Sequence, residues 1–234
     1  MNEECLICKA PLEYLNSDEV MVCELCHQTH RSHTRCRKGH FVCDACHTSG
    51  MDSLLSICFN TQSTNPIEIV EAMMALPSCH MHGPEHHIMV GAALLTAYHN
   101  AGGELDLNSA LYEMQTRGRQ VPGGVCGFWG ACGAGISTGI YLAIALKSTP
   151  LATKAWGLSN QMTARALEAI GKHGGPRCCK RDTYLAIREA VHFTKEHLGI
   201  TLTLGPIVCS RSHLNNQCRK EACTFYPKAQ LPLP

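Results

Sequence analysis

The chain is short of aromatic residues, of charge and of long apolar runs, and each shortage removes a class of function. Phe, Trp and Tyr make up 6% of its 234 residues, too few for the stacked aromatic platforms that hold single-stranded nucleic acid. Charged residues make up 17%, the net charge is +1, and no long run of Lys or Arg occurs. A grip on phosphate backbone normally needs a basic stripe, so no nucleic-acid partner is expected. The longest apolar stretch, residues 136–146, contains Ser137, Thr138 and Gly139 and is too short to cross a bilayer, so no membrane partner is expected. Met1-Asn2-Glu3-Glu4 is acidic and has neither the basic nor the apolar region of an export signal. A cytoplasmic location is the expectation. Strand signals are few (20–23, 41–43 and 201–204), and no internal repeat or low-complexity run is seen.

What the chain has in excess is sulfur and imidazole: 16 Cys and 14 His, with 45% hydrophobic residues, enough to bury a core. In a reducing compartment such thiols point to metal binding or catalysis, not to disulfide staples. Three segments differ in composition. Residues 1–50 carry Cys pairs with little apolar periodicity, residues 51–200 read as a helical domain with a Cys/His metal site, and residues 201–234 return to Cys and turn formers, packed on the helical domain. The expected fold is mainly α, with an N-terminal zinc-ribbon-like module followed by a helical metal-binding domain. Caps and breakers predict six helices. One opens at Pro66 and ends at Pro77. A second runs from Pro84 to His99, and a third from Asp106 or Asn108 to Gly118. A fourth spans 133–147 and is apolar almost all round, hence central. A fifth is capped by Ser159 and ends near Gly171; a sixth is capped by Asp182 and ends at Gly199.

Four ligand pairs stand in order near the N-terminus: Cys5 and Cys8, Cys23 and Cys26, Cys36 and His40, Cys43 and Cys46. A C-x2-C turn puts two thiolates on one metal and two such turns complete a tetrahedral site, so eight ligands suit two zinc ions. Pairing in sequence, as in a ribbon, and alternating pairing, as in a cross-brace, are both open. A segment so poor in apolar residues needs metal to fold. Cys23–His27 and Cys43–His47 also match the C-x-x-C-H pattern of covalent haem attachment; the first pair lacks the histidine, and haem is attached outside the cytosol.

The central segment holds three further motifs. In Cys79-His80-Met81-His82-Gly83-Pro84-Glu85-His86-His87, histidines crowd a helix start; they suit metal ligation or acid–base chemistry, and a solvated helix end is the plain alternative. In 121–135, Cys126 and Cys132 lie in a glycine-rich loop feeding a helix. Free helical N–H groups there would favour thiolate and donate to cluster sulfides, unless the glycines serve close packing around buried Cys. In Gly174-Gly-Pro-Arg177-Cys178-Cys179-Lys180-Arg181, two Cys precede a helix among cations, and Arg177 and Lys180 suit a substrate carboxylate. Adjacent Cys do not easily share one tetrahedral site, so one would ligate and the other pack or react. Cys209, His213, Cys218 and Cys223 form a looser fourth group that could complete a metal site. Cys58 reads as core.

On these motifs (Cys5-x2-Cys8, residues 39–47, 81–87, 123–135 and 174–182) the whole chain resembles an uncharacterised Cys-rich domain family of anaerobic bacteria and archaea. That family occurs alongside S-adenosylmethionine-dependent methyltransferases, which implies an anaerobic setting. The stretch from Cys132 to Leu142, followed by Cys178-Cys179-Lys180, is also similar to the helical iron–sulfur-dependent serine dehydratases and cysteine desulfidases. That likeness implies a 4Fe-4S cluster with one open iron acting as a Lewis acid.

Taken together, the sequence reads as an iron–sulfur metalloprotein carrying zinc as well. Cys126, Cys132 and Cys179 are the expected cluster ligands, with Arg177 and Lys180 as anion binders. Glu85, His86 and Cys178 are the expected catalytic groups, and His82, His87, Cys209, Cys218 and Cys223 further metal ligands. The expected chemistry is elimination, desulfuration or sulfur transfer on a small thiol or amino-acid-like substrate. The alternatives are a metal carrier or scaffold that docks a methyltransferase or redox protein, and a zinc-dependent hydrolase using His82, His86 and His87 around an open zinc.

Overall fold

The computed structural model describes residues 5–227. The N-terminal part is one antiparallel hairpin, β1 (Leu12–Val22) and β2 (Thr29–Cys36), in register from Leu12 opposite Cys36 to Val22 opposite Thr29, with an irregularity between Tyr14 and Glu19. The expected strand at 20–23 is the end of β1. β2 was not foreseen. Its sequence, THRSHTRC, is polar on both faces and gives no alternation, so pairing with β1 decides its structure. Residues 41–43 are extended without joining the sheet. Residues 201–204 likewise form no strand: Thr203 makes one backbone bond to Thr64, and Leu202 fills the core.

The rest is mainly helical: α1 (Asp44–His47), α2 (Met51–Phe59), α3 (Pro66–Met74), α4 (His86–Asn100), α5 (Leu107–Gly118), α6 (Val125–Phe128), α7 (Gly133–Ala145), α8 (Lys154–His173) and α9 (Cys179–Leu198), then two short 3-10 turns, Ser212–Leu214 and Lys220–Ala222. Capping fixes several starts. Asn65 accepts from the Ile67 amide at 3.0 Å ahead of Pro66 in the first turn, and Asp106 caps α5 through Ser109. The expected starts at Ser159 and Asp182 come too late. α8 begins at Lys154 and α9 at Cys179, neither with a side-chain cap. α2 was missed, although Met51, Leu54, Leu55 and Cys58, its buried residues, fall at helical spacing.

α4 is the centre of the bundle. It is buried from His86 to Tyr98 and packs against α2, α3, α5, α7 and α9, while α8 closes over α7 and α9. α7, expected to be central, packs against α4, α5, α8 and α9. Contact between α4 and α7 is close enough that the Gly91 amide meets the Ser137 hydroxyl at 2.9 Å. The hairpin module has its own small cluster, Met21, Cys23, Phe41 and Cys43, and is docked on the bundle. Asp44 accepts from the Gly123 amide at 2.7 Å, the His33 ring stacks on Phe128, and the Arg177 guanidinium lies over the Tyr14 ring and donates to its hydroxyl. Among the described residues no helix is long and apolar enough to cross a membrane.

Candidate metal centre

The hairpin resolves the pairing of the N-terminal ligands. Its open end gathers Cys5, Cys8, Cys36 and His40, and its tip gathers Cys23, Cys26, Cys43 and Cys46; within each group the ligand atoms lie within 4.8 Å of one another. The first pair therefore joins the third and the second joins the fourth, which is the alternating arrangement. Two residues flanking the C-x2-C turns, Lys9 and His27, have positive φ, as does Gly39 in the third turn. Main-chain amides point at the sulfurs: Ile7 to Cys5 at 3.4 Å, Lys38 to Cys36 at 3.2 Å and Cys43 to Cys23 at 3.3 Å. Burial opposes ionisation of Cys23 and Cys36, yet main-chain amides at Cys23, and the Lys38 amide with the His40, Cys8 and Cys5 side chains at Cys36, outweigh it and hold each thiol down at about 6. Each group could hold a metal ion such as zinc. The haem pattern falls here, because the two C-x-x-C turns that carry it face each other around one point.

A third group sits at the seam between module and bundle. His47 of α1, His80 and Glu85 bring one donor atom each within 4.8 Å of one another and could also hold a metal ion. Glu85 is fully buried. His47 Nδ1 lies 3.2 Å from one carboxylate oxygen and His80 Nδ1 3.3 Å from the other. Burial raises the Glu85 carboxyl, but the facing imidazoles outweigh it and hold the group well below the usual carboxylate range. Both Nδ1 atoms and Glu85 Oε2 are buried polar atoms without a well-formed hydrogen bond. Gly83 allows this approach, since a Cβ there would collide with the Glu85 carboxylate and the His47 ring. Three donors leave a coordination position open. Sequence reading missed His47 and His80 as partners of Glu85. His47 looked like the tail of a Cys pair, and its partners lie in another segment.

The three-histidine site expected of His82, His86 and His87 is not gathered, because neighbours on a helix point about 100° apart. His86 is 1% exposed; its Nδ1 faces the Gly83 carbonyl at 3.0 Å and its Nε2 receives Lys180 Nζ at 2.9 Å. Burial, then Lys180, push its pKa well below the ordinary value, so both nitrogens of this neutral ring are engaged. His87 turns the other way, its Nδ1 2.9 Å from the Val121 carbonyl and its ring against Gly133. His82 reaches the Cys179 amide at 3.5 Å. Burial and Arg177 lower it to about 3, and its Nε2 is buried without a partner. Lys180, expected as an anion binder, is 1% exposed and donates to Cys79 Sγ, the His80 carbonyl and His86.

Cys126 in α6, Cys132 at the cap of α7 and Cys179 at the start of α9 turn toward one region. Cys132 Sγ is 3.8 Å from Asp182 Oδ2. Its thiol is raised first by burial, then by Asp182, Cys179 and Cys126. Burial pushes Cys179 up to about 12, opposed by Arg177 and the Gly83 amide, and raises Cys126, again opposed by Arg177. Cys178, the neighbour of Cys179, points elsewhere and shares a cavity with Cys209, Cys218 and Cys223; His213 of that motif is exposed.

A helical bundle with a docked hairpin, carrying Cys and His groups that could each hold a metal ion, defines the class: a metal-binding protein. The chain belongs to a family of unknown function, DUF5714, whose model matches residues 54–226. No curated protein and no solved structure matches it.

Proposed function

We propose that the chain is an iron–sulfur metalloprotein of anaerobic metabolism that acts on a small thiol or amino-acid-like substrate by elimination, desulfuration or sulfur transfer, with zinc in the two hairpin groups. The observation that carries this reading is that Cys132, whose sulfur lies 3.8 Å from Asp182, is close enough to Cys126 and Cys179, from two other helix starts, for their charges to raise its thiol. The donor set suits a 4Fe-4S core held through three irons. Each sulfur also has a main-chain donor: Gly127 for Cys126, Ala134 for Cys132 and Gly83 for Cys179. Bound there, the cluster would supply one Lewis-acidic iron.

The chain's own residues divide the remaining work. Arg177, partly buried and electrostatically felt by Cys126, Cys179 and His82, orients a substrate carboxylate. Asp182, raised by burial and opposed by Arg181 at 3.1 Å, takes a proton at its Oδ2, beside Cys132. The neutral His82 ring, whose Nδ1 accepts from the Cys179 amide, carries its hydrogen at the buried Nε2 and can donate it as a hydrogen bond. Lys180 and His86 position the loop at His80 from behind and do not touch substrate. After anaerobic purification, Cys132→Ala is expected to lower both iron and acid-labile sulfide by about four per chain. Unchanged counts would overturn the assignment.

A further inference from the structure

The segment after α9 folds back against the start of that helix, and the cavity between them is lined by Cys178, Cys209, Cys218 and Cys223. One thiol in a core needs no explanation, and Cys58 is such a case. Four thiols from two distant stretches of chain around one void do.

Main-chain amides aim at three of these sulfurs. Lys220 donates to Cys218 Sγ at 3.3 Å, the Arg211 amide to Cys209, and the Lys180 and Arg181 amides to Cys178. Asn215 Nδ2 approaches Cys178 Sγ at 3.5 Å. The donor two residues after the cysteine is the device already present in the hairpin, where Ile7 serves Cys5 and Lys38 serves Cys36. Such bonds stabilise thiolate and the sulfur of a bound centre. Arg181, Arg211 and Arg219 line the same cavity; Arg181 is paired with Asp182 and Arg211 with Glu71, which leaves Arg219 to offset part of the negative charge that four thiolates would bring. The segment is pinned where it must be: the Cys209 amide bonds the Phe225 carbonyl at 2.7 Å, and Arg211 Nε bonds the Met74 carbonyl at 3.2 Å.

The donor set bears on the centre. One zinc ion draws four sulfurs to about 4 Å of one another, whereas a cubane spreads them to about 6 Å. The four thiols that line this cavity are not all within 4.8 Å of one another, as those of the hairpin tip are, and an all-thiol set suits an iron–sulfur core. We propose that Cys178, Cys209, Cys218 and Cys223 hold a second 4Fe-4S cluster, closed by four thiolates and therefore a one-electron carrier with no open iron. Its 2+ core would take one electron from an external low-potential donor and pass it to an external one-electron acceptor of higher potential, with no bond made or broken in the protein. Adjacent Cys178 and Cys179 then serve two different centres, which places the carrier next to the open cluster proposed above. The carrier site itself does not depend on that reading.

The test uses the full chain, reconstituted anaerobically with ferrous iron and sulfide. The native protein is expected to bind about eight iron and eight sulfide, and the double variant Cys218→Ala/Cys223→Ala about four of each. Cys132→Ala isolates the carrier, and adding the two C-terminal substitutions to it should remove the remaining iron. If Cys132→Ala removes nothing while the C-terminal pair removes about four iron, the open-cluster reading falls and the carrier stands. Iron and sulfide unaffected by the C-terminal pair, or zinc without sulfide in the Cys132→Ala protein, would overturn the carrier. A folding defect is bypassed by alkylating the native chain. Cys209, Cys218 and Cys223 should be protected when loaded and labelled after chelation, and equal labelling in both states would also overturn it.

Discussion

Burial at Cys58, in α2, leaves the thiol 1% exposed and pushes its pKa up to about 12, against a small opposing contact with Thr96. In the unfolded chain the same thiol ionises near its ordinary 9.0. As pH rises from 9 toward 12 the unfolded state gives up a proton that the folded state keeps, so the contribution of Cys58 to stability is complete below pH 9 and shrinks above it. The full effect is bounded by about 4 kcal/mol, at about 1.4 kcal/mol per unit. Cys58→Ala is expected to be less stable than the parent by about 1 kcal/mol at neutral pH, from lost packing, and the urea midpoints of the two proteins should converge above pH 9 and cross near about pH 10, the variant being the more stable at about pH 11. Parallel curves would mean that the thiol is not held neutral. The same scale shows where sequence reading reached and where it stopped. Cys5 through Cys46 declared themselves by spacing, because a C-x2-C turn is local chemistry. Glu85 with His47 and His80 did not, because that group exists only once α1 is laid against the loop before α4.

Gly139 in α7 faces α8, and a Cβ there would run into the Thr163 hydroxyl and lie 3.0 Å from the Ser159 carbonyl oxygen. The hydroxyl can rotate; the carbonyl belongs to the helix and cannot. Gly139→Ala should push α7 from α8 at a cost of about 1–3 kcal/mol, read as a lowered thermal midpoint. Gly171→Ala, also helical but with open space around it, should be neutral or stabilising by up to about 1 kcal/mol. A similar loss in both would remove close packing as the cause. Elements with a local signal were legible: Asn65 before Pro66 and Asp106 before α5 each mark a boundary by a hydrogen bond. β2 was not, since its polar residues are held in a strand by β1 and by the ligands at its two ends. The glycine-rich run before and within α7 was read as room for a ligand, and at Gly135 and Gly139 it serves contact with Leu167, Ser159 and Thr163 of α8 instead.

The module and the bundle rest on different foundations. The bundle has an extended apolar core. The hairpin has Met21, Cys23, Phe41 and Cys43, and two of those four belong to a group that could hold a metal ion, so its fold is expected to depend on metal. Strong chelation is expected to expose residues 5–47 to protease within minutes while residues 54–226 persist with their helical circular dichroism; continued resistance of the hairpin would refute metal-dependent folding. The mainly helical architecture and the metal-rich N-terminus were readable because composition changes sharply near residue 50. The docking of one on the other was not, for Asp44, His33 and Tyr14 make their contacts with single residues far along the chain. The alternating order of the hairpin ligands has a further consequence during synthesis. Cys5, Cys8, Cys23 and Cys26 leave the ribosome before Cys36, His40, Cys43 and Cys46 exist. The nascent chain therefore first offers four thiols that belong to two different centres, and an ion caught by that premature set must be surrendered before either centre can close. Maturation of this end of the protein then includes a ligand exchange that a sequential pairing would not need.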